Sequence, residues 1–276
     1  MQILITNDDG IDSPGLAAMA RAASRRGHDV LVVAPAIPTP GNSAALGMRT
    51  QRGDVVQQVE HPEGMPTSVR CLVAEATPAQ IVFLAAANEF GVEPDMVAAG
   101  INIGANTGHS IIHSGTLGAA LTATWIGLRT MAVSLAGGAV PRNWAAAEAV
   151  TTRVMEWFEF QQLERRFLNL NIPDVPLDQL RGLRAAPLAQ YTATQGTGVE
   201  LTGENHLPRT VPLRYSPPNL RDEPGSDHYL LERNWATATV LRPLVEDFSG
   251  LELPSFDKLD PADARLHHEP THAWSE

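Results

Sequence analysis

Two short apolar runs lie within the first 35 residues, and the segment between them has the features of a helix. The runs are QILIT at residues 2–6 and DVLVVA at 29–34. Between them, Ser13 suits an N-cap, Pro14 suits the first helical position, and Gly27 suits the end of the helix. Strand, helix and strand within about thirty residues form a βαβ unit, whose strands run parallel. The chain is therefore expected to be an α/β protein with a mostly parallel sheet.

The same alternation continues to about residue 173 and then weakens. Strands are predicted at 54–60, 68–73, 95–100, 131–136 and 167–173, the first two as a hairpin, and helices at 77–88, 117–126 and 143–159. Beyond about residue 180 turn-forming residues become common. Residues 194–215 are expected to form an extended hairpin and 235–241 one more strand. Residues 254–276 are polar and proline-rich, which is typical of a loosely ordered tail.

Composition argues against several classes of protein. The net charge is −11, and Lys258 is the only lysine, so the chain does not suit a nucleic-acid polymer. The sequence shows neither a secretory signal pattern nor an apolar run long enough for a bilayer, so we expect a cytoplasmic protein without a membrane partner. The single cysteine, Cys71, lies in an apolar run and is expected to pack in the core.

Three segments rich in polar residues and glycine follow three predicted strands. They are NDDG at 7–10, TPGNS at 39–43 and GINIGANTG at 100–108. Because ligands bind outside the carboxyl ends of parallel strands, these segments are expected to converge. Two adjacent carboxylates, Asp8 and Asp9, repel each other in a confined site unless a cation lies between them. Asn102 and Asn106 would add neutral oxygens, so we predict a site for Mg²⁺ or Mn²⁺.

The segment HSGTLGAAL at 113–121 is a second candidate. Ser114, Gly115 and Thr116 lie where a loop becomes a helix, and free amides with two hydroxyls there suit a phosphate. Each segment also has an ordinary interpretation: NDDG as a turn, and Ser114 as an N-cap.

The histidines leave alternatives open as well. His109 and His113 flank the phosphate candidate and are either proton donors or loop residues without a catalytic role. The group His267, His268 and His272 is interpreted as part of a solvated tail.

Six motifs, in this order and spacing, resemble the SurE family. They are NDDGIDSPGL, VVAP, ATPAQIV, PDMVAAGINIGANTG, IIHSGTLGAA and FLNLNIP, which span most of residues 1–173. Gly225-Ser226-Asp227 and the WATATVL strand are a weaker match to the C-terminal part of the family. The resemblance implies a metal-dependent phosphatase (a 5′/3′-nucleotidase) that acts on nucleoside monophosphates, and several members of the family also cleave short polyphosphate.

The resemblance also assigns roles to individual residues. Asp8 and Asp9 would be catalytic metal ligands and Asn102 a further ligand, while Asn106 and the Ser114-Gly115-Thr116 turn would hold the phosphate. The implied reaction is hydrolysis of a phosphomonoester by metal-activated water.

The implied fold is a Rossmann-like core with an extended arm exchanged between subunits, hence a homodimer or homotetramer. We accordingly expect a core with the metal and phosphate site at 1–180, a C-terminal arm and closing strand at 181–253, and a polar tail at 254–276.

The second loop departs from the family pattern. Pro40 stands where the family has a serine metal ligand, and Ser43 is the expected substitute, with Asn42 and Thr39 as alternatives. Three more positions differ: Ala36 replaces an acid, Ala76 a glycine and Gln80 an aspartate.

These departures leave an alternative function open. The chain would then be a catalytically impaired homologue that binds a nucleotide or phosphate as a regulatory or interaction module. A third idea, a phosphorylated receiver domain, is disfavoured because no lysine precedes Lys258.

Overall fold

A nine-stranded sheet forms the centre of the described part of the chain. The computed structural model describes residues 1–47, 56–58, 62–137, 140–161, 163–190 and 223–244. In chain order the elements are β1 (Gln2–Thr6), α1 (Pro14–Arg25), β2 (Asp29–Pro35), β3 (Val56–Gln58), β4 (Arg70–Ala74), α2 (Pro78–Ala86), β5 (Met96–Ile103), α3 (Gly115–Ile126), β6 (Arg129–Leu135), α4 (Trp144–Phe158), β7 (Phe167–Ile172), β8 (Leu183–Ala185), α5 (Asp227–Leu231) and β9 (Ala236–Leu241).

The strand order in the sheet is β3-β4-β2-β1-β5-β6-β7-β9-β8. The run from β4 to β7 is parallel throughout, whereas β3 pairs antiparallel with β4 and β9 antiparallel with β7. The chain moves outward from β1 on one side and then returns to β5 on its other side. The carboxyl ends of β1 and β5 therefore form a topological switch point, where open α/β sheets bind their ligands.

Alternate residues of β1 face opposite sides of the sheet. Ile3 and Ile5 belong to the core that α1 and α4 cover, together with Leu16 and Phe158. Leu4 belongs to the core on the other face, which α2 and α3 cover. Because both faces are covered, the central strands are buried on both sides and mostly apolar, as expected for a parallel sheet.

The structure confirms the predicted Rossmann-like, mostly parallel α/β fold. The hairpin predicted at 54–60 and 68–73 corresponds to the β3–β4 pair. The strand predicted at 95–100 continues to Ile103, and the helix predicted from residue 117 begins at Gly115. The short elements β8 and α5 and a 3₁₀ turn at Gly108–His113 were not predicted.

Several predictions fall where the structure gives no description. The extended hairpin at 194–215 and the tail at 254–276 lie outside the described residues. The elements above all belong to one compact unit, Met1–Pro243. Within the described ranges, no helix is long and apolar enough to cross a membrane. Cys71 is a free, buried thiol, and its burial raises its pKa above the usual value, which fits a packing role.

Candidate functional site

A cleft of about 440 Å³ opens at the switch point of the sheet. Asp8, Asp9 and Ser13 line it from the β1 end, Pro40 from the second loop, and Ile103 from the end of β5. Asp8 and Asp9 lie in the turn after β1, because the buried strand ends at Thr6 and the turn that follows contains Gly10 with a positive φ. The cleft is therefore built from the loops that the sequence predicted to converge.

Asp8 is the more buried of the two carboxylates, with only 7% of its surface exposed. The Thr116 hydroxyl donates a hydrogen bond of 2.7 Å to Asp8 Oδ1. The backbone amide of Gly115 also bonds Asp8, at the N-terminus of α3. Burial nevertheless raises the pKa of Asp8 above its usual value, and these bonds only partly oppose that rise.

Asp9 belongs to the first loop, and its carboxylate contacts the end of β5. The backbone amide of Ile103 donates a 3.2 Å hydrogen bond to Asp9 Oδ2. Burial, followed by the charge of Asp8, raises the pKa of Asp9 to about 6. The two neighbouring carboxylates thus disfavour each other's ionised form, and a bound cation would remove that conflict.

Arg142 is a cation near Asp9 that the sequence analysis did not identify. Its positive charge opposes the rise in the pKa of Asp9. The guanidinium is held by Asp174, with Nη1 3.4 Å from Oδ2, and Asp174 also accepts bonds from the backbone and side chain of Asn143. One arginine among scattered arginines carries no signal in the sequence, so only the fold reveals it.

Asn102 stands at the end of β5, one residue before the amide that binds Asp9. Its side-chain amide donates a 2.8 Å hydrogen bond to the carbonyl of Gly104. This bond fixes the side chain by its nitrogen, so the amide oxygen is the atom free to serve as a ligand. No described residue donates a hydrogen bond to that oxygen.

Asn106 is buried and bonded on several sides. Its backbone amide donates to Asn171 Oδ1 at 2.7 Å, and its side chain donates to Ser134 Oγ at 2.8 Å. Its carbonyl accepts from the side chains of Asn169 and Asn171. The two asparagines of FLNLNIP therefore position the loop after β5. The sequence analysis did not identify this role, although two asparagines spaced two apart in an otherwise apolar strand are a visible signal for it.

Asp227 is a second anchor that the sequence analysis did not assign to the site. It is fully buried, and its carboxylate accepts hydrogen bonds from the amides of Gly108, Ala189 and His228 at 2.7–3.0 Å. Burial raises its pKa, and the three amide bonds oppose the rise. Asp227 thus joins the loop after β5 to the C-terminal part of the described chain.

The hydroxyls of Ser114 and Thr116, which the sequence predicted to bind a phosphate, are already hydrogen-bonded within the protein. Ser114 Oγ accepts a 3.1 Å bond from the Leu117 amide, so Ser114 is the N-cap of α3. The Thr116 hydroxyl points to Asp8, so both hydroxyls have protein partners instead of facing a phosphate unpaired. The ordinary interpretation of Ser114 as a cap therefore holds, and Thr116 is placed as the residue that orients Asp8.

We expect Thr116→Val to weaken cation binding, because it removes the bond that orients Asp8. Losing a partner of a ligating group typically lowers metal affinity or activity about 10- to 100-fold. Titration calorimetry with Mn²⁺ measures the affinity, and Thr116→Ser, which keeps the hydroxyl, is the matched control. If Thr116→Val binds Mn²⁺ as tightly as the wild type, this orienting role is wrong.

The structure does not direct Ser43 into the cleft. The Ser43 hydroxyl donates a 2.7 Å bond to the carbonyl of Ile112, and the Ser43 backbone packs so tightly on α3 that a Cβ on Gly118 would lie 1.9 Å from the Ser43 carbonyl oxygen. Ser43 is thus held against α3 and does not line the cleft, unlike Pro40. Its expected role as a substitute metal ligand has no geometric support.

Thr39, the other hydroxyl of this loop, is buried, while Asn42 is exposed. The histidines proposed as donors, His109 and His113, are both exposed in the 3₁₀ turn Gly108–His113. The group His267, His268 and His272 lies outside the described residues. Among described residues there is no cluster of three or more His, Cys, Asp or Glu side chains that could hold a metal. A cation in this cleft would therefore rest on two carboxylates supplemented by neutral oxygens.

Comparisons with known proteins agree with these features. The family model described as Survival protein SurE matches residues 3–195. The 5′-nucleotidase SurE of Methylococcus capsulatus is 32% identical over 272 residues, which cover 96% of this chain and 98% of that protein. The 5′/3′-nucleotidase SurE of Serratia proteamaculans is 37% identical over 185 residues, or 67% of this chain and 68% of that protein.

A solved structure shows the same fold. The crystal structure of SurE protein from Aquifex aeolicus superposes with a TM-score of 0.74 at 23% sequence identity. The match covers 90% of this chain and 96% of that chain.

Proposed function

This chain belongs to the SurE family, and from that premise and the geometry of the cleft we propose that it is a metal-dependent 5′/3′-nucleotidase. Its substrates are nucleoside monophosphates, from which it removes the phosphate by hydrolysis. The nucleotidase names of its relatives favour this enzyme over the catalytically impaired alternative. The observation that carries the proposal is the pair Asp8 and Asp9 in the cleft at the switch point.

The donor set of the cleft fits a hard divalent cation. Asp8 and Asp9 supply carboxylate oxygens from the wall of the cleft. Asn102 is not one of the lining residues, but it precedes the lining residue Ile103 at the end of β5 and would add an amide oxygen from there. Mg²⁺ and Mn²⁺ prefer such oxygen ligands and retain several waters, so a missing protein ligand is tolerated. The raised pKa values of both aspartates are a second argument, because a cation would stabilise their ionised forms. We propose Mg²⁺ or Mn²⁺ without choosing between them.

The side chains around the cleft have separable tasks. When bound, the cation lowers the pKa of water and neutralises charge on the phosphoryl oxygens. Thr116 and the Gly115 amide hold Asp8 in place, and the Ile103 amide holds Asp9. The N-terminus of α3 faces Asp8 through the Gly115 amide and the Thr116 hydroxyl, so its positive dipole end favours the ionised form of that carboxylate.

Pro40, in the second loop, deprives the site of the serine oxygen that the family pattern has there, but it leaves the cleft open. Pro40 lines the cleft, and its side chain offers no ligand atom. A hard cation can take water in that position, so we propose that Pro40 weakens cation binding without abolishing turnover. An assembly of two or four subunits, a cytoplasmic location and the division at residues 180 and 253 stay predictions.

Phosphate release tests the proposal directly. The full chain would be incubated with a panel of nucleoside monophosphates in the presence of Mg²⁺, Mn²⁺ or EDTA. We expect release with at least one cation, its loss with EDTA, and recovery when the cation is added in excess. Folded protein that releases no phosphate with any cation would support the catalytically impaired alternative. Release that survives EDTA would contradict metal dependence alone.

A further inference from the structure

The cleft at the switch point has an acidic wall. Its described lining includes three carboxylates, those of Asp8, Asp9 and Asp12, and neither lysine nor arginine. A divalent cation offsets two of these negative charges, and a phosphate monoester then brings a further charge of about −1.5 to −2 near pH 7. The charges of this site therefore do not balance without a second positive group.

Arg142 lies at the same edge of the sheet as the cleft. It belongs to the connection between β6 and α4, and β6 is the neighbour of β5, whose end lines the cleft. The start of α4 packs on the start of α1, since a Cβ on Gly15 would lie 3.0 Å from the Trp144 ring. Gly15 is two positions after Ser13, which lines the cleft. The charge of Arg142 also acts on Asp9, so the guanidinium is beside the proposed phosphate site.

Asp174 holds Arg142 without using its hydrogen-bonding capacity. The contact from Arg142 Nη1 to Asp174 Oδ2 is 3.4 Å, longer than the usual N–H···O bond. A guanidinium has five N–H donors, and Nε and Nη2 of this one have no acceptor among the described residues. The side chain is 19% exposed, and neither of these nitrogens is enclosed by protein. Arg142 therefore has donors available for an anion.

Asp174 stays paired when the guanidinium turns away from it. Its Oδ1 accepts a 2.8 Å bond from the backbone amide of Asn143 and a 2.9 Å bond from the side chain of Asn143. Only 3% of the Asp174 side chain is exposed, so the carboxylate is fixed in place. It is thus a stationary negative charge that keeps Arg142 next to the cleft.

We propose that Arg142 is a further catalytic residue, which turns from Asp174 toward the cleft and donates hydrogen bonds to the phosphoryl oxygens of the substrate. This inference rests on the nucleotidase function proposed above. The planar guanidinium presents paired N–H groups that match two oxygens of a phosphoryl group. Charge spreads over these oxygens during phosphoryl transfer, so the contact stabilises the transition state. Asp174 is the positioning residue for Arg142.

The test begins with Arg142→Ala. Its kcat for a nucleoside monophosphate should fall by about 100-fold, the usual effect of removing one donor to a developing oxyanion. Inhibition by inorganic phosphate should weaken by about 10-fold, as expected for one charged hydrogen bond. Millimolar guanidinium chloride should restore part of the lost turnover, and sodium chloride at the same concentration should not. Arg142→Lys, which keeps the charge without the paired donors, should retain an intermediate turnover.

Further measurements separate this role from a structural one. The affinity of Arg142→Ala for Mn²⁺, measured without substrate, should not fall, because the variant loses a positive charge beside Asp9 and so repels the cation less. Arg153→Ala makes the same change at an exposed position of α4 and should match the wild type in every measurement. Asp174→Asn should lower kcat by less than Arg142→Ala does and should not respond to guanidinium.

The outcomes distinguish this inference from the proposed function. An active wild type with an equally active Arg142→Ala overturns the role of Arg142 alone. A loss of turnover that neither guanidinium nor the Arg142→Lys variant restores in part also overturns it, because Arg142 would then act by supporting the fold. A fall in Mn²⁺ affinity in Arg142→Ala overturns it as well, since the residue would then act through the metal ligands. A wild type that releases no phosphate from any substrate overturns both proposals.

Discussion

Asp8→Asn is expected to lower phosphate release by at least about 10³-fold, because it removes a charged ligand from the centre of the cleft. An asparagine of the same shape keeps the contact with Thr116 but carries no charge to hold a cation. Affinity for Mn²⁺ should fall together with turnover. A loss of turnover without a loss of affinity would make Asp8 something other than a ligand.

The same substitution should leave the fold intact or make it more stable. Burial raises the pKa of Asp8, which means that the folded chain holds the ionised carboxylate at a cost near neutral pH. Asparagine removes that cost, so the melting temperature of the metal-free protein should not fall. A stable but inactive variant is the usual sign of a functional residue that opposes stability.

A surface aspartate provides the control for Asp8. Asp178→Asn makes the same chemical change at an exposed position away from the cleft, so its turnover, Mn²⁺ affinity and melting temperature should all match the wild type. If Asp8→Asn turns over substrate like this control, the assignment of Asp8 to the site is wrong.

The central fold could be predicted because its signals are local. β1 was recognisable from an apolar run and α1 from a Ser-Pro helix start. Both elements are stabilised by burial of their own apolar residues, which the sequence shows directly. β8 and α5 could not be predicted in this way. β8 is three exposed residues long, so it has no periodicity, and it exists because β9 pairs with it. Pairing partners that distant in sequence leave no local signal.

In the candidate site, too, some features could be predicted from the sequence and others could not. The three loops were expected to converge because parallel strands end at one edge of the sheet. The bonds that orient the side chains were not predictable, since Thr116 is 108 positions from Asp8, and Asn169 is 63 from Asn106. Ser43 is the opposite case, a residue that the sequence assigned to the site and the structure does not place there. A hydroxyl three positions from Pro40 has the chemistry of a metal ligand, but it donates its hydrogen bond to the carbonyl of Ile112, in the 3₁₀ turn Gly108–His113.

Gly115→Ala should disable the site by contact alone, without removing any polar group. A Cβ at this position would lie 2.7 Å from Asp8 Oδ2 and 2.9 Å from Asp8 Cβ, closer than a Cβ atom approaches a non-bonded heavy atom. Asp8 is buried and bonded to Thr116, so it cannot move aside without breaking that bond. We expect turnover and Mn²⁺ affinity to fall by about 100-fold, the upper range for a disturbed ligand.

Local helix energetics predict the opposite sign for this change, which makes it a sharp test of the contact. Gly115 is the first residue of α3, where alanine is the better helix former and reduces the entropy of the unfolded chain. A purely local effect would therefore stabilise the protein and leave turnover unchanged. Gly137→Ala is the matched control, because a Cβ there meets no atom within 4 Å. Kinetics and thermal unfolding of both variants decide the matter: if Gly115→Ala gains stability and keeps its turnover, the close approach of α3 to Asp8 is not what organises this site.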